Sequence, residues 1–217
     1  MDFRDLVRQR RSTRAFLPEP VSSELLTRVL SDASHASSAL NMQPWEIHMV
    51  LGVERERLSR KLLRHYRERQ ITCAPGAVRP LPEHFLARAR ECAEGMTPLI
   101  LQMGKQFKEY INEGSLSFYG APAAALIFLD EAFPPERMVD VGVFTGYFLL
   151  AAACHGLGAC PIGLVRAYED VVKDHLNIPE SKVLAIAVAV GKPDPTAPIN
   201  SFQSPRAPLT ELVRWVP

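Results

Sequence analysis

The sequence predicts an α+β fold, a central mixed β-sheet flanked by helices, with one long buried helix among them. Three observations predict it. Short apolar runs of strand length, such as KVLAIAVAVGKPD at 182–194, are scattered between helical segments. Several of those segments carry apolar residues on one face only. One stretch, VGVFTGYFLLAAAC at 141–154, is apolar on every side and reads as a core helix.

In chain order, Phe3, Leu6, Val7 and Arg10 follow Asp2 at helical spacing, with Asp2 placed as an N-cap. Ser22 caps a second helix whose apolar face is Leu25, Leu26, Val29 and Leu30. ASSALNMQP is loop chemistry ended by Pro44, which drives Gln43 toward extended backbone. Ile47, Met49 and Leu51 alternate as in a strand, and residues 53–70 form a charged amphipathic helix. Residues 71–82, with Pro75, Gly76, Pro80 and Pro82, form a loop. Residues 83–112 read as helix with a break at Gly95–Pro98. A strand at Ala123–Leu129, the apolar helix, a glycine-punctuated turn with a short extended piece, a helix stopped before Pro179 and the apolar strand complete the order. The tail from Pro193 has no strong period until LTELVRW and needs a surface to dock on.

At 217 residues the chain suits one domain, 1–217. Lys and Arg number 25 against 24 Asp and Glu, so the net charge is +1 and a chain-wide basic excess for nucleic acid or an anionic membrane is missing. The four cysteines form no CxxC, no His/Cys cluster has metal-ligand spacing, and the N-terminus lacks the apolar core of a signal peptide, which points to a cytoplasmic protein. The apolar stretch at 141–154 is short for a bilayer span, which takes about 20 residues. Its Gly142-x-x-x-Gly146 spacing lets a second backbone approach, and a second subunit is one candidate.

Against that balanced charge, RQRRSTRAF at 8–16 packs four arginines and a serine into nine residues. Arginine forks match phosphate oxygens, and the serine adds a donor. Both G-x-G-x-x-G and the Walker A pattern are missing, so a bound phosphate is held another way. Taken alone, RRSTR also suits a nucleic-acid arm or a phosphoregulated adaptor, a reading the charge balance disfavours.

The ordered set of motifs resembles the FMN-dependent nitroreductase family. These are Arg10-Arg11-Ser12-Thr13-Arg14-Ala15-Phe16; Asn41-Met42-Gln43-Pro44-Trp45 after a small-residue loop; Phe118-Tyr119-Gly120-Ala121-Pro122 before a strand; Gly156-Leu157-Gly158 through Pro161-Ile162-Gly163; Gly191-Lys192-Pro193; and Arg206 before the last short helix. They run from residue 3 to 215, and residues 53–112 match least. The resemblance implies an NAD(P)H-dependent oxidoreductase that passes hydride through flavin N5 to nitroaromatics, quinones or similar electron-poor acceptors by ping-pong kinetics. Enone or alkene reductases and dehalogenating or flavin-converting enzymes share the same cradle and are the alternatives. It also implies a homodimer with FMN at the subunit interface.

Residue by residue, the resemblance gives Arg10, Ser12 and Arg206 to the FMN phosphate, with Arg11 assisting through backbone or side chain. It gives Arg14 to the pyrimidine edge, as a stabiliser of reduced flavin. Ser38, Ala39 and Asn41 line the ring and ribityl chain, and the backbone of Pro161, Ile162 and Gly163 faces N5. Where many relatives place an asparagine or an asparagine and a lysine, this chain has NEGSLSFYGAP, with Asn112 too early and Ser115 or Ser117 in the expected region.

Overall fold

A computed structural model describes residues 2–74, 76, 77 and 79–216. Met1 and Pro217, the ends of the expected domain, and Pro75 and Val78 of the expected 71–82 loop lie outside the described residues.

Four strands, β1 (Trp45–Leu51), β2 (Ala123–Asp130), β3 (Gly158–Ile162) and β4 (Lys182–Gly191), form a sheet in the order β1-β2-β4-β3. Every pairing between these strands is antiparallel, so the sheet is not the mixed one expected from sequence. The parallel contact present is an isolated bridge between Ser12 and Ala159, outside the named strands. β2 and β4 are the inner strands, and β2 is buried from Ala123 to Leu129, as a run without alternation requires.

Helices cover both faces. On one side α2 (Ser23–Ala33) and α6 (Met138–Cys154) pack Leu26, Val29, Phe144 and Phe148 against Ala125 and Ile127. On the other, α3 (Gly52–Arg69) and α7 (Glu169–Leu176) bring Leu58, Leu62 and Val172 onto Leu126 and Phe128. The Ser22 cap forms as expected, its Oγ accepting from Leu25 N at 3.2 Å. In α1 (Phe3–Gln9), Asp2 makes no side-chain capping bond, and no residue of the helix is buried.

Two expectations change. α4 (Glu83–Gln102) runs through Pro98 without a break, and the chain turns only before α5 (Phe107–Leu116). Pro98 is exposed, so the carbonyl it leaves without a helical partner, that of Glu94, reaches water, while Met96 and Ile100 anchor the opposite face. Gly95 marks a contact: a Cβ there would lie 2.8 Å from the Phe202 ring of the tail.

α6 is not buried all round. With the turn before it, the helical run Pro135–Cys154 reaches 20 residues and is long and apolar enough to cross a membrane by length and composition. It buries Val141, Phe144, Phe148 and Ala152 and leaves Val139, Gly142, Gly146 and Tyr147 exposed. A helix apolar on two faces needs two partners, and the sheet supplies one.

Candidate functional site

The arginine-rich segment leaves α1 and lies along the outer edge of β3. Thr13 N donates to Ala159 O at 3.1 Å and Leu17 N to Lys192 O at 3.0 Å. Thr13 is buried against Gly158, whose missing Cβ makes the approach possible, since an added one would run into the Thr13 side chain. Gly158 therefore does more than follow the end of α6: it seats the motif.

Asn200, in the C-terminal tail, locks the segment's shape. Its Oδ1 accepts from Arg14 N at 3.0 Å, and its Nδ2 donates to Ala15 O at 2.8 Å and Asp194 O at 2.9 Å. Its backbone carbonyl accepts from the Arg11 guanidinium at 3.1 Å. Arg11 is thus engaged by the tail, while Arg10 and Arg11 line a groove of about 540 Å3 between α1, the end of α6 and residues 193–201.

Arg10 is pushed below its ordinary pKa by burial and, second, by the nearby Arg206 cation. Arg206 is exposed and steadied by Ser204 and Pro205 carbonyls at 2.8 and 3.1 Å. Among the described residues, neither arginine has a carboxylate within 4.0 Å. Two cations held together without an anion form a place for one.

Arg14 turns inward. Its carbonyl accepts from the Tyr110 hydroxyl. Its guanidinium faces Cys160 and Tyr119, which hold its pKa up against the opposing effect of burial. Its Nε is buried without a hydrogen-bond partner. Burial pushes the Cys160 thiol up, offset in part by Arg14, Ser12 and Arg10, so Ser12 and the three side chains share one neighbourhood. Burial likewise lifts Tyr119 to about 12, and its hydroxyl lies 3.3 Å from Ser115 Oγ. Arg14, Tyr110, Tyr119, Ser117, Gly114, Leu63 and Lys105 border a cleft of about 250 Å3.

Pro161 and Ile162 continue β3 from Cys160, and Gly163 follows it, exposed. Ile162 buries its side chain in the core. Past the Ser12–Ala159 bridge the outer edge of β3 has no strand partner among the described residues.

Ser38, Ala39 and Asn41 do not join this group. Their loop lies at the start of β1, with Ala39 N donating to Asp140 Oδ1 at 3.4 Å near the N-terminus of α6. Arg10 and Arg11 lie near Ala153 at its other end. A rise of 1.5 Å per residue puts those ends about 20 Å apart. The loop is unusual in its own right. Leu40, Asn41 and Gln43 have φ of 52°, 55° and 47°, so Gln43 is left-handed and not extended as the following proline predicts, and Leu40 is 94% exposed. Non-glycine residues held there occupy a sparsely populated region of backbone space.

Asn112 accepts from Cys73 N at 2.8 Å and donates to Lys108 O at 2.8 Å, which makes it a brace for the 71–82 loop. Sequence reasoning missed Asn200, Tyr110 and Tyr119 as partners of the arginine segment; only the aromatic turn of Tyr119 carried a signal.

The family model described as "Nitroreductase family" matches residues 7–192. Among curated proteins, the chain is 31% identical to nitroreductase NfnB of Mycolicibacterium smegmatis, covering 97% of this chain and 91% of that protein. It is 28% identical to a 4-nitrobenzoate reductase of Pseudomonas putida, covering 94% and 91%. A crystal structure of the FMN-dependent nitroreductase NfnB from Mycobacterium smegmatis in complex with NADPH superposes with a TM-score of 0.88 at 30% identity, covering 99% of this chain and 97% of that one.

Proposed function

The chain belongs to the nitroreductase family, and from that premise we propose an FMN-dependent oxidoreductase that draws hydride from NAD(P)H and reduces nitroaromatics, quinones or related electron-poor acceptors. The observation that carries the reading is the convergence of Arg10, Ser12 and Arg206 with the unpartnered Nε of Arg14 along the open edge of β3. The donor set fits FMN: cations for a monophosphate at one end, and a buried guanidinium for an electron-rich ring edge at the other. Bound there, FMN would supply the capacity to accept hydride at N5 and return it to an acceptor.

The chain's own residues would do the rest. Arg10 and Arg206 would neutralise the phosphate, and Ser12 would donate to it. Arg14, held by Asn200 and Tyr110, would favour negative charge at the pyrimidine edge. The backbone from Pro161 to Gly163 would face the reacting atom. The cleft beside Tyr119 would serve donor and acceptor in turn, which gives ping-pong kinetics.

We further propose a homodimer. Ser38, Ala39 and Asn41 can line the same cofactor only from a second copy, because their loop and Arg10 lie at opposite ends of α6. The exposed seam of Val139, Gly142, Gly146 and Tyr147 offers the surface for that copy. Four free cysteines accord with a cytoplasmic location.

The test is the purified protein itself. It should be yellow, release FMN on heating and bleach anaerobically with NADPH or NADH. Released FAD, or no flavin after soaking with excess FMN, would contradict the proposal.

A further inference from the structure

α3 carries more positive charge than the fold needs. Arg55, Arg57, Arg60, Lys61, Arg64, Arg67 and Arg69 crowd one helix of a chain whose net charge is +1. Part of that charge is neutralised locally. Arg57 pairs with Glu54 at 3.2 Å, Lys61 with Asp174 at 3.1 Å and Arg69 with Asp170 at 2.6 Å. Arg60, Arg64 and Arg67 are different. All are exposed, and among the described residues none has a carboxylate within 4.0 Å. Their spacing puts them on one helical face, where like charges repel.

That face borders a groove of about 680 Å3 that also includes Arg57, Lys61, Leu63 and His175. Leu63 is the hinge of the inference. It lines this groove and also the cleft of Arg14, Tyr119 and Lys105, so the two depressions meet at one side chain. A ligand long enough to pass Leu63 from the cleft would reach the groove that these three arginines border.

We propose that Arg60, Arg64 and Arg67 bind the phosphates of a nicotinamide dinucleotide, and through its 2′-phosphate favour NADPH over NADH. The inference rests on the oxidoreductase reading above. A dinucleotide is the substrate of that reaction that carries anionic groups at a distance from its reacting ring. Guanidinium forks match phosphate oxygens, and an exposed array in water discriminates best against a ligand that lacks a whole dianionic group.

The test compares the holoprotein with an Arg60→Gln/Arg64→Gln/Arg67→Gln variant, in which glutamine preserves helix propensity. Calorimetric titration with 2′,5′-ADP and with 5′-AMP, which lacks only the 2′-phosphate, reads the site without any need for turnover. The expected result is tighter binding of 2′,5′-ADP by the wild type and a loss of about tenfold or more in the variant, the scale of one or two charged hydrogen bonds. KM for NADPH should rise in parallel and by more than KM for NADH, while FMN content and the reoxidation of dithionite-reduced enzyme by acceptor stay unchanged. Equal affinity of wild type and variant for 2′,5′-ADP, or an equal loss for both nucleotides, overturns the assignment. Failure of both NADPH and NADH to bleach the wild type would contradict the oxidoreductase reading instead, since nucleotide binding is read independently.

Discussion

A Cβ built on Gly114 would lie 2.5 Å from Cε1 of Tyr119. The Tyr119 ring therefore occupies the notch that this helical glycine leaves in α5. Tyr119 also sits at φ 52° in the turn before β2, so the backbone holds the ring from the other side. The pairing aims the phenol at Ser115 and Arg14. Gly114→Ala would gain helix propensity but force the ring out. The net result should be destabilisation of about 1–3 kcal/mol, the range for overpacking, read as a lower melting temperature.

Alkali should expose Tyr119 together with its neighbour Tyr110. Burial lifts Tyr119 from 10.0 to about 12 and raises Tyr110 as well. The folded protein thus holds these protons more tightly than the unfolded chain. The stability this contributes is complete below pH 10 and is lost as pH climbs from there toward about 12. Phenolate absorbance should rise in two stages, with Tyr110 and Tyr119 ionising only as the fold opens. Tyr119→Phe should shrink the second stage; a loss from the first stage instead would place the Tyr119 hydroxyl in water.

Asn200 supplies the lock on the arginine segment. Asn200→Ala removes one acceptor and two donated bonds, with an expected cost of about 2–3 kcal/mol in stability. Flavin content should fall with it, because Arg14 loses the bond that sets its backbone. Asn200→Asp should recover only the bond from Arg14 N, so it should fall between wild type and alanine in both readouts.

Much of this was legible in the chain. The Ser22 cap, the alternation in β1 and the unbroken apolar runs of β2 and β4 are local signals, and each led to the right element. The arginine segment stood out because the rest of the charge balances. What escaped was non-local or shared between two surfaces. Asn200 meets Arg14 across 186 positions, and no local pattern records that contact. Gly95 and Pro98 carry helix-breaking chemistry, yet Met96 and Ile100 hold α4 together from the buried side. The composition of α6 reveals two apolar faces but not that the chain covers only one. The sheet came out antiparallel because pairing direction depends on connections that apolar runs do not encode.

The open face of α6 should be an assembly seam. Gly142 and Gly146 have nothing within 4 Å of an added Cβ, so Gly146→Ala should fold normally as a protomer. Gly146→Glu places a charge in the seam and should abolish the dimer and flavin retention together. Light scattering with absorbance on one sample checks both. A stable yellow monomer at micromolar concentration would contradict an intersubunit site.

The central claim is that Arg10 and Arg206 are brought together for a phosphate. Titrating apoprotein with FMN and with riboflavin tests it most directly, because the two ligands differ only in that group. Arg10→Ala and Arg206→Ala should each weaken FMN by about 1.5–3 kcal/mol, the scale of a hydrogen bond to a charged group, and leave riboflavin affinity nearly unchanged. Equal weakening of both ligands would show that the arginines support the fold and hold no phosphate.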